Sequence, residues 1–188
     1  MKKSTGIVLG VIVGVIVLII LFFVVGYNSL ASKQIAVEQK AADIDTQLQR
    51  RADLIPNLVN TVKGFTEHET EVFDAVNAAR EHLMSANTMG EKSAADAEVT
   101  EALGRLVAIA EAYPELKSDK VYVDLMDELA GTENRISYAR QEYNNAVADY
   151  NSAVRTFPGV LFANMFGFEK ADLFTASEGA DAVPEVEF

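Results

Sequence analysis

Residues 6–25, GIVLGVIVGVIVLIILFFVV, form an unbroken run of 20 residues without a polar side chain. A helix of that length spans the ~30 Å hydrocarbon core of a bilayer at about 1.5 Å per residue, so the run predicts one transmembrane helix. Beyond it the pattern changes. Stepping alternately by three and four from Ile44 reaches Leu48, Arg51, Ile55, Leu58, Val62, Phe65, Glu69, Val72, Val76, Ala79 and Leu83, and ten of these twelve positions are apolar. This spacing keeps one helical face apolar, whereas a half-buried strand would alternate with period two. The stripe extends back through Ala41, Val37 and Leu30. Pro56 falls inside it, and its missing N–H and ring clash predict a kink. Because the register survives the proline, the reading is a bend rather than a reversal of the chain.

The segment SANTMGEKS, residues 85–93, is turn-like, and Ser93 with Asp96 has the spacing of a capping box opening a second helix. Its stripe is Val99, Leu103, Leu106, Ala110 and Tyr113, and Pro114 ends it. Ser118 or Asp119 can cap a third helix, whose stripe runs Tyr122, Met126, Leu129, Glu133, Ile136, Arg140, Tyr143, Val147, Tyr150, Val154 and Phe157. Pro158 and Gly159 stop it. Apolar stripes this long cannot stand alone in water. The predicted fold is therefore all-α: an antiparallel bundle of three long amphipathic helices plus a short C-terminal one, after a single N-terminal transmembrane helix. A dimeric or trimeric coiled coil is the competing architecture, and the turn-separated segments of unequal length favour the intramolecular bundle. The expected domains are an anchor over 1–26, a bundle over 27–159, and an apolar short helix with an acidic tail over 160–188. The short helix corresponds to VLFANMFGF, residues 160–168. It is expected to pack over the bundle, with interfacial membrane contact as the alternative, and the tail after it is expected to be loosely ordered.

Lys2 and Lys3 precede the apolar run, while the first 20 residues after it hold only Lys33 and Lys40 among basic residues. With the terminal amine, the positive-inside rule favours a cytoplasmic N-terminus and an extracytoplasmic bundle. A cleaved signal peptide is the alternative, because Ser29 and Ala31 have the small-residue spacing of a cleavage site. Against it, the run is longer than the usual apolar region of about 7 to 15 residues. Gly6, Gly10 and Gly14 repeat at four-residue spacing, a ridge that would let two membrane helices approach and so form a homo-oligomer. Glycine is also ordinarily frequent in such helices.

Charge narrows the partners. The chain carries 28 acidic against 16 basic residues, a formal net charge of −12, which repels nucleic acid. There is no cysteine, so disulfides, thiolate metal sites and cysteine nucleophiles are excluded. His68 and His82 read as one helix face about 21 Å apart, too far to share a metal, and HETEV lacks the second histidine of the zinc pattern HExxH. No GxSxG elbow, P-loop or GxGxxG turn is present. The reading therefore assigns no catalytic, cofactor-binding or metal residues. It expects the lipid bilayer and unidentified proteins as partners, with no nucleic acid.

Three blocks carry a resemblance: LQRRADLIPNLVNTVKGF at residues 48–65, ELAGTENRISYARQEYNNAVADYNSAVRTFPG at 128–159, and PEVEF at 184–188. In this order after an N-terminal membrane helix, they are similar to the pattern of the LemA family. Glu187 stands where that pattern usually has Asp, and Phe65 where it often has Tyr. The resemblance implies a helical-bundle domain at a bacterial cytoplasmic membrane and no agreed biochemical activity. It also implies a setting of envelope quality control, since such genes often lie near those of membrane metalloproteases.

Four charges interrupt the stripes: Arg51, Glu69, Glu133 and Arg140. A charge at a core position is costly to desolvate and is normally kept when paired, so pairing across helices is expected, with Glu69 and Glu133 as partners for the arginines. Snorkelling of the long stems and a partner-binding site are the alternatives. The functional reading is a non-enzymatic interaction or scaffold protein; a ligand-sensing bundle and an enzyme of unrecognised type are the competitors.

Overall fold

A computed structural model describes residues 2–66 and 68–174. Among the described residues the chain is helical without strands, as the spacing predicts. The elements are α1 (Lys2–Lys63), α2 (Thr70–Ser85), α3 (Met89–Glu111), α4 (Pro114–Lys117), α5 (Lys120–Arg155) and α6 (Gly159–Phe166). By packing, the chain divides into two units: Met1–Gln39 with Asn145–Ala171, and Lys40–Asn144 with Asp172–Phe188. The terminal block at 184–188 lies outside the described residues.

In the second unit, α1 and α5 run antiparallel, since Lys40 pairs with Glu142 at 3.3 Å and Arg50 with Glu128 at 2.8 Å. Ile44, Leu48, Ile55, Leu58 and Val62 of the first stripe are buried, as are Val76 of α2, Val99 and Leu106 of α3 and Ile136 of α5. The predicted continuation of the first helix through Phe65 and Glu69 does not hold. Helix α1 ends at Lys63, and the chain reverses before α2. Arg80 reaches back to the carbonyl of Ala52, and the Lys63 ammonium lies 5.1 Å from the centre of the Phe73 ring. The heptad step crosses the break by coincidence, which leaves Phe65 exposed.

Pro56 sits inside α1 without ending it. Its missing N–H leaves the carbonyl of Ala52 without the usual donor four residues on. The Arg80 guanidinium Nε donates to that oxygen at 2.7 Å instead. A gap in the helical ladder thus becomes a fastening between α1 and α2.

Helix α3 begins one turn earlier than predicted. Thr88 and Glu91 form the capping box: the Thr88 hydroxyl accepts from the Glu91 N–H at 3.2 Å, and the Glu91 carboxylate accepts from the Thr88 N–H at 3.0 Å. The Asn87 N–H also donates to Glu91, at 2.8 Å. These donors hold its carboxyl below the ordinary carboxylate range. Helix α5 is capped by Asp119, whose carboxylate accepts from the Tyr122 N–H at 2.9 Å. At its far end Phe157 is exposed rather than buried.

In the first unit, α6 packs on α1. The Phe162 ring lies 5.1 Å from that of Phe22 and 5.7 Å from that of Phe23, and it covers Gly26 so closely that a Cβ there would overlap it. Gly159 meets the same constraint, because a Cβ would collide with the backbone oxygen of Ala153. The N-terminal part of α1 is long and apolar enough to cross a membrane, with mean hydropathy 3.3 in its most apolar stretch.

The segment after α6 is held rather than loose up to Phe174. Within the first unit, the Asn151 amide donates to the Ala171 carbonyl and accepts from the Ala171 N–H, both at 2.9 Å. Within the second, Asn144 makes the same pair of bonds with Phe174, also at 2.9 Å each.

Candidate functional site

Stripe charges from α1 and α5 meet on α3. Arg51 of α1 donates from Nη1 to Asp96 Oδ1 at 2.6 Å and from Nη2 to the Thr100 hydroxyl at 3.0 Å. The Thr100 hydroxyl in turn donates a hydrogen bond to the backbone carbonyl of Asp96 at 2.9 Å. Arg140 of α5 donates to the second oxygen of Asp96. Glu133, also on α5, brings Oε2 to 2.9 Å from Arg51 Nη1, an ion pair by distance without a well-aligned N–H. The Arg140 guanidinium also lies 4.6 Å from the centre of the Phe174 ring, a cation–π contact that ties in the C-terminal segment. Two cations and two anions make the cluster formally neutral.

Burial divides these groups. The Asp96 side chain is 1% exposed and that of Arg51 6%, whereas that of Glu133 is 41% exposed. A carboxylate so deeply buried is tolerable only because two guanidinium groups and their N–H donors replace its water.

Of the four predicted charges, Arg51, Glu133 and Arg140 come together and Glu69 does not. Glu69 stands at the N-terminus of α2, where its backbone carbonyl accepts from the N–H groups of Val72 and Phe73. Asp96, the acid at the centre, reads in the sequence as half of a capping box. Its signal was the stripe position three residues before Val99 on a helix whose cap lies further back. His68 lies in the connection before α2, not on the helix of His82, and His82 bonds Glu98 at 2.9 Å across α2 and α3. Among the described residues no cluster of three or more metal-ligating side chains occurs. Gly10 and Gly14 have open space beside them, and the surroundings of Gly6 lie outside the described residues.

A groove of about 430 Å³ opens between α1 and α5 in the second unit, walled by Lys40, Asp43, Gln47, Asn134, Arg135 and Tyr138. The Lys40–Glu142 pair crosses it, and Tyr138 is 64% exposed. Its lining is mixed: four charged residues of both signs beside amides and one aromatic ring.

The LemA family model matches residues 40–188. The chain is 27% identical over 181 residues to magnetosome protein MamQ of Magnetospirillum gryphiswaldense, an alignment covering 82% of this chain and 66% of that protein. It is 26% identical over 181 residues to magnetosome protein MamQ 2 of Paramagnetospirillum magneticum, with the same coverage. To protein LemA of Metamycoplasma hominis it is 23% identical over 153 residues, covering 80% of this chain and 69% of the relative.

Proposed function

The chain belongs to the LemA family, and on that premise we propose that it is a non-enzymatic scaffold, held in the bacterial cytoplasmic membrane by its N-terminal helix and displaying its bundle outside the cytoplasm to dock a protein partner. The observation that carries this reading is the contrast between inside and outside. The interior charges are spent on one another, with Asp96 closed between Arg51 and Arg140, so they hold helices together rather than face a substrate. The groove between α1 and α5 is open to solvent, and it presents Tyr138 and Arg135, the residue types that dominate binding energy at protein interfaces. Lys2 and Lys3 ahead of the apolar run support the orientation. A scaffold whose specificity lies on its surface also suits a family whose relatives include magnetosome proteins as well as protein LemA. Envelope quality control is the setting we favour for the partner.

The second reading is a ligand sensor. The groove volume falls within the roughly 300–1,000 Å³ of small-molecule sites, although four charged side chains of both signs, Lys40, Asp43, Arg135 and Glu142, stand around it. A photoreactive residue at Tyr138, compared with one at Val121 elsewhere on α5, tests docking in cells. A discrete protein adduct at Tyr138 and none at Val121 is the expected outcome. Equal, diffuse labelling at both positions counts against the groove as the docking face.

A further inference from the structure

Helix α6 buries Phe162 and Ala163 but leaves Leu161 49% and Met165 59% exposed on one face, since they stand four residues apart. Phe157 before it is 77% exposed and Phe166 46%. From 159 to 168 the sequence GVLFANMFGF carries no charge. Such a patch would be a liability in water.

What covers it follows from where α6 is fastened. Phe22 and Phe23 belong to the apolar run at 6–25, and at about 1.5 Å per residue they lie within about 5 Å of its end. If that run fills the hydrocarbon core, both rings sit at its edge. The Phe162 ring packs against both, tilted to one and edge-on to the other, so it occupies the same depth. Tyr27, one turn further out, meets the rings of Phe166 at 5.1 Å and Phe168 at 5.6 Å, an aromatic cluster at the level where membrane proteins carry Tyr and Trp belts. Gly26 locks the arrangement, because only a glycine leaves room for the Phe162 ring.

We propose that α6 is an interfacial membrane element: its Leu161 and Met165 face, with Phe157 and Phe166, lies in the headgroup–acyl boundary of the bilayer that the anchor crosses. The chain then meets lipid twice, once across the membrane and once along its surface. The backbone suits a low-dielectric setting. Gly167 takes the left-handed conformation and closes the helix, with its N–H on the Ala163 carbonyl at 2.9 Å and that of Phe168 on the same oxygen at 3.1 Å. Charge resumes only at Glu169 and Lys170. The apolar area and the lack of a basic face mean that the patch is held by burial and tethering, not by attraction to anionic lipid.

This inference rests on the transmembrane reading of 6–25, and the test separates the two. The chain has no tryptophan, so a single introduced one is the only indole reporter. Full-length Val17→Trp, Leu161→Trp, Met165→Trp and Val121→Trp proteins are reconstituted in phosphatidylcholine vesicles containing lipids brominated either near the headgroup or deep in the acyl chain. Val17→Trp should be quenched most by deep bromine. Leu161→Trp and Met165→Trp should lose a comparable share of emission, but to shallow bromine and with a blue shift. Val121→Trp should lose none. Quenching at Val17→Trp without quenching at 161 or 165 would overturn the interfacial helix and leave the anchor standing, and a blue shift there without quenching would assign the patch to a second copy of the chain. No quenching at any position would overturn both readings.

Discussion

Asp96 accepts from two guanidinium groups, so its removal takes the buried partner from Arg51, whose side chain is 6% exposed, and from the half-buried Arg140. Breaking a buried pair by deleting one partner costs about 3 to 5 kcal/mol, because the remaining charge is uncompensated, whereas a well-exposed pair is worth under ~1 kcal/mol. Asp96→Ala is therefore expected to lower stability by about 3 to 5 kcal/mol and Glu133→Ala by less than ~1 kcal/mol, measured by urea unfolding of the full chain in detergent micelles. Asp96→Ala combined with Arg51→Ala should cost clearly less than the sum of the two. Additive losses would show that these charges do not act as a unit. Glu91 gives a pH signature. The N–H groups of Thr88 and Asn87 favour its charged form, so its folded value is depressed. Its contribution is present above the unfolded value and is lost as pH falls through the folded one. Glu91→Gln should thus be less stable than the parent near neutrality, and the gap should close in acid. A gap that stays constant with pH would mean that the capping charge plays no part.

Between elements, Arg80 and Pro56 are coupled through one oxygen. Arg80→Ala leaves the Ala52 carbonyl unsatisfied and is expected to cost about 1 to 3 kcal/mol. In a Pro56→Ala background residue 56 regains an N–H for that carbonyl, so the same truncation should cost much less. An equal loss in both backgrounds, read from the same unfolding curves, would contradict the substitution of a side chain for a helical donor. The element scale also shows what periodicity reveals and hides. Stripes at Leu48, Ile55 and Leu58, or at Ile136, Tyr143 and Val147, are legible because burial repeats with the helical turn. The reversal after Lys63 is hidden because Val62, Phe65, Glu69 and Val72 keep the step of three and four across it, and Gly64 is the one local sign. Asp96 is hidden for a different reason: the S-x-x-D pattern from Ser93 competes with T-x-x-E from Thr88, and only tertiary contact decides which acid turns inward. Asn144 and Asn151, seven residues apart on α5, carry no apolar signal at all, yet their amides hold Phe174 and Ala171 as a strand partner would.

For the molecule as a whole, function depends on where each end of the chain lies relative to the bilayer. The 20-residue apolar run is held by burial in hydrocarbon, so the protein should stay in the membrane fraction through alkaline and high-salt washing. The orientation rests on few charges, Lys2 and Lys3 against Lys33 and Lys40, and it decides which compartment sees the groove around Tyr138. Because the chain has no cysteine, single cysteines report each side without background. The most direct test of a membrane-anchored scaffold displayed outside the cytoplasm is labelling of Ser4→Cys and Tyr138→Cys with a membrane-impermeant maleimide in intact spheroplasts. The account predicts that Tyr138→Cys is labelled at once, that Ser4→Cys is labelled only after permeabilisation, and that both proteins sediment with membranes. The reverse pattern, or a Tyr138→Cys protein released to the soluble fraction without its N-terminal helix, would contradict it.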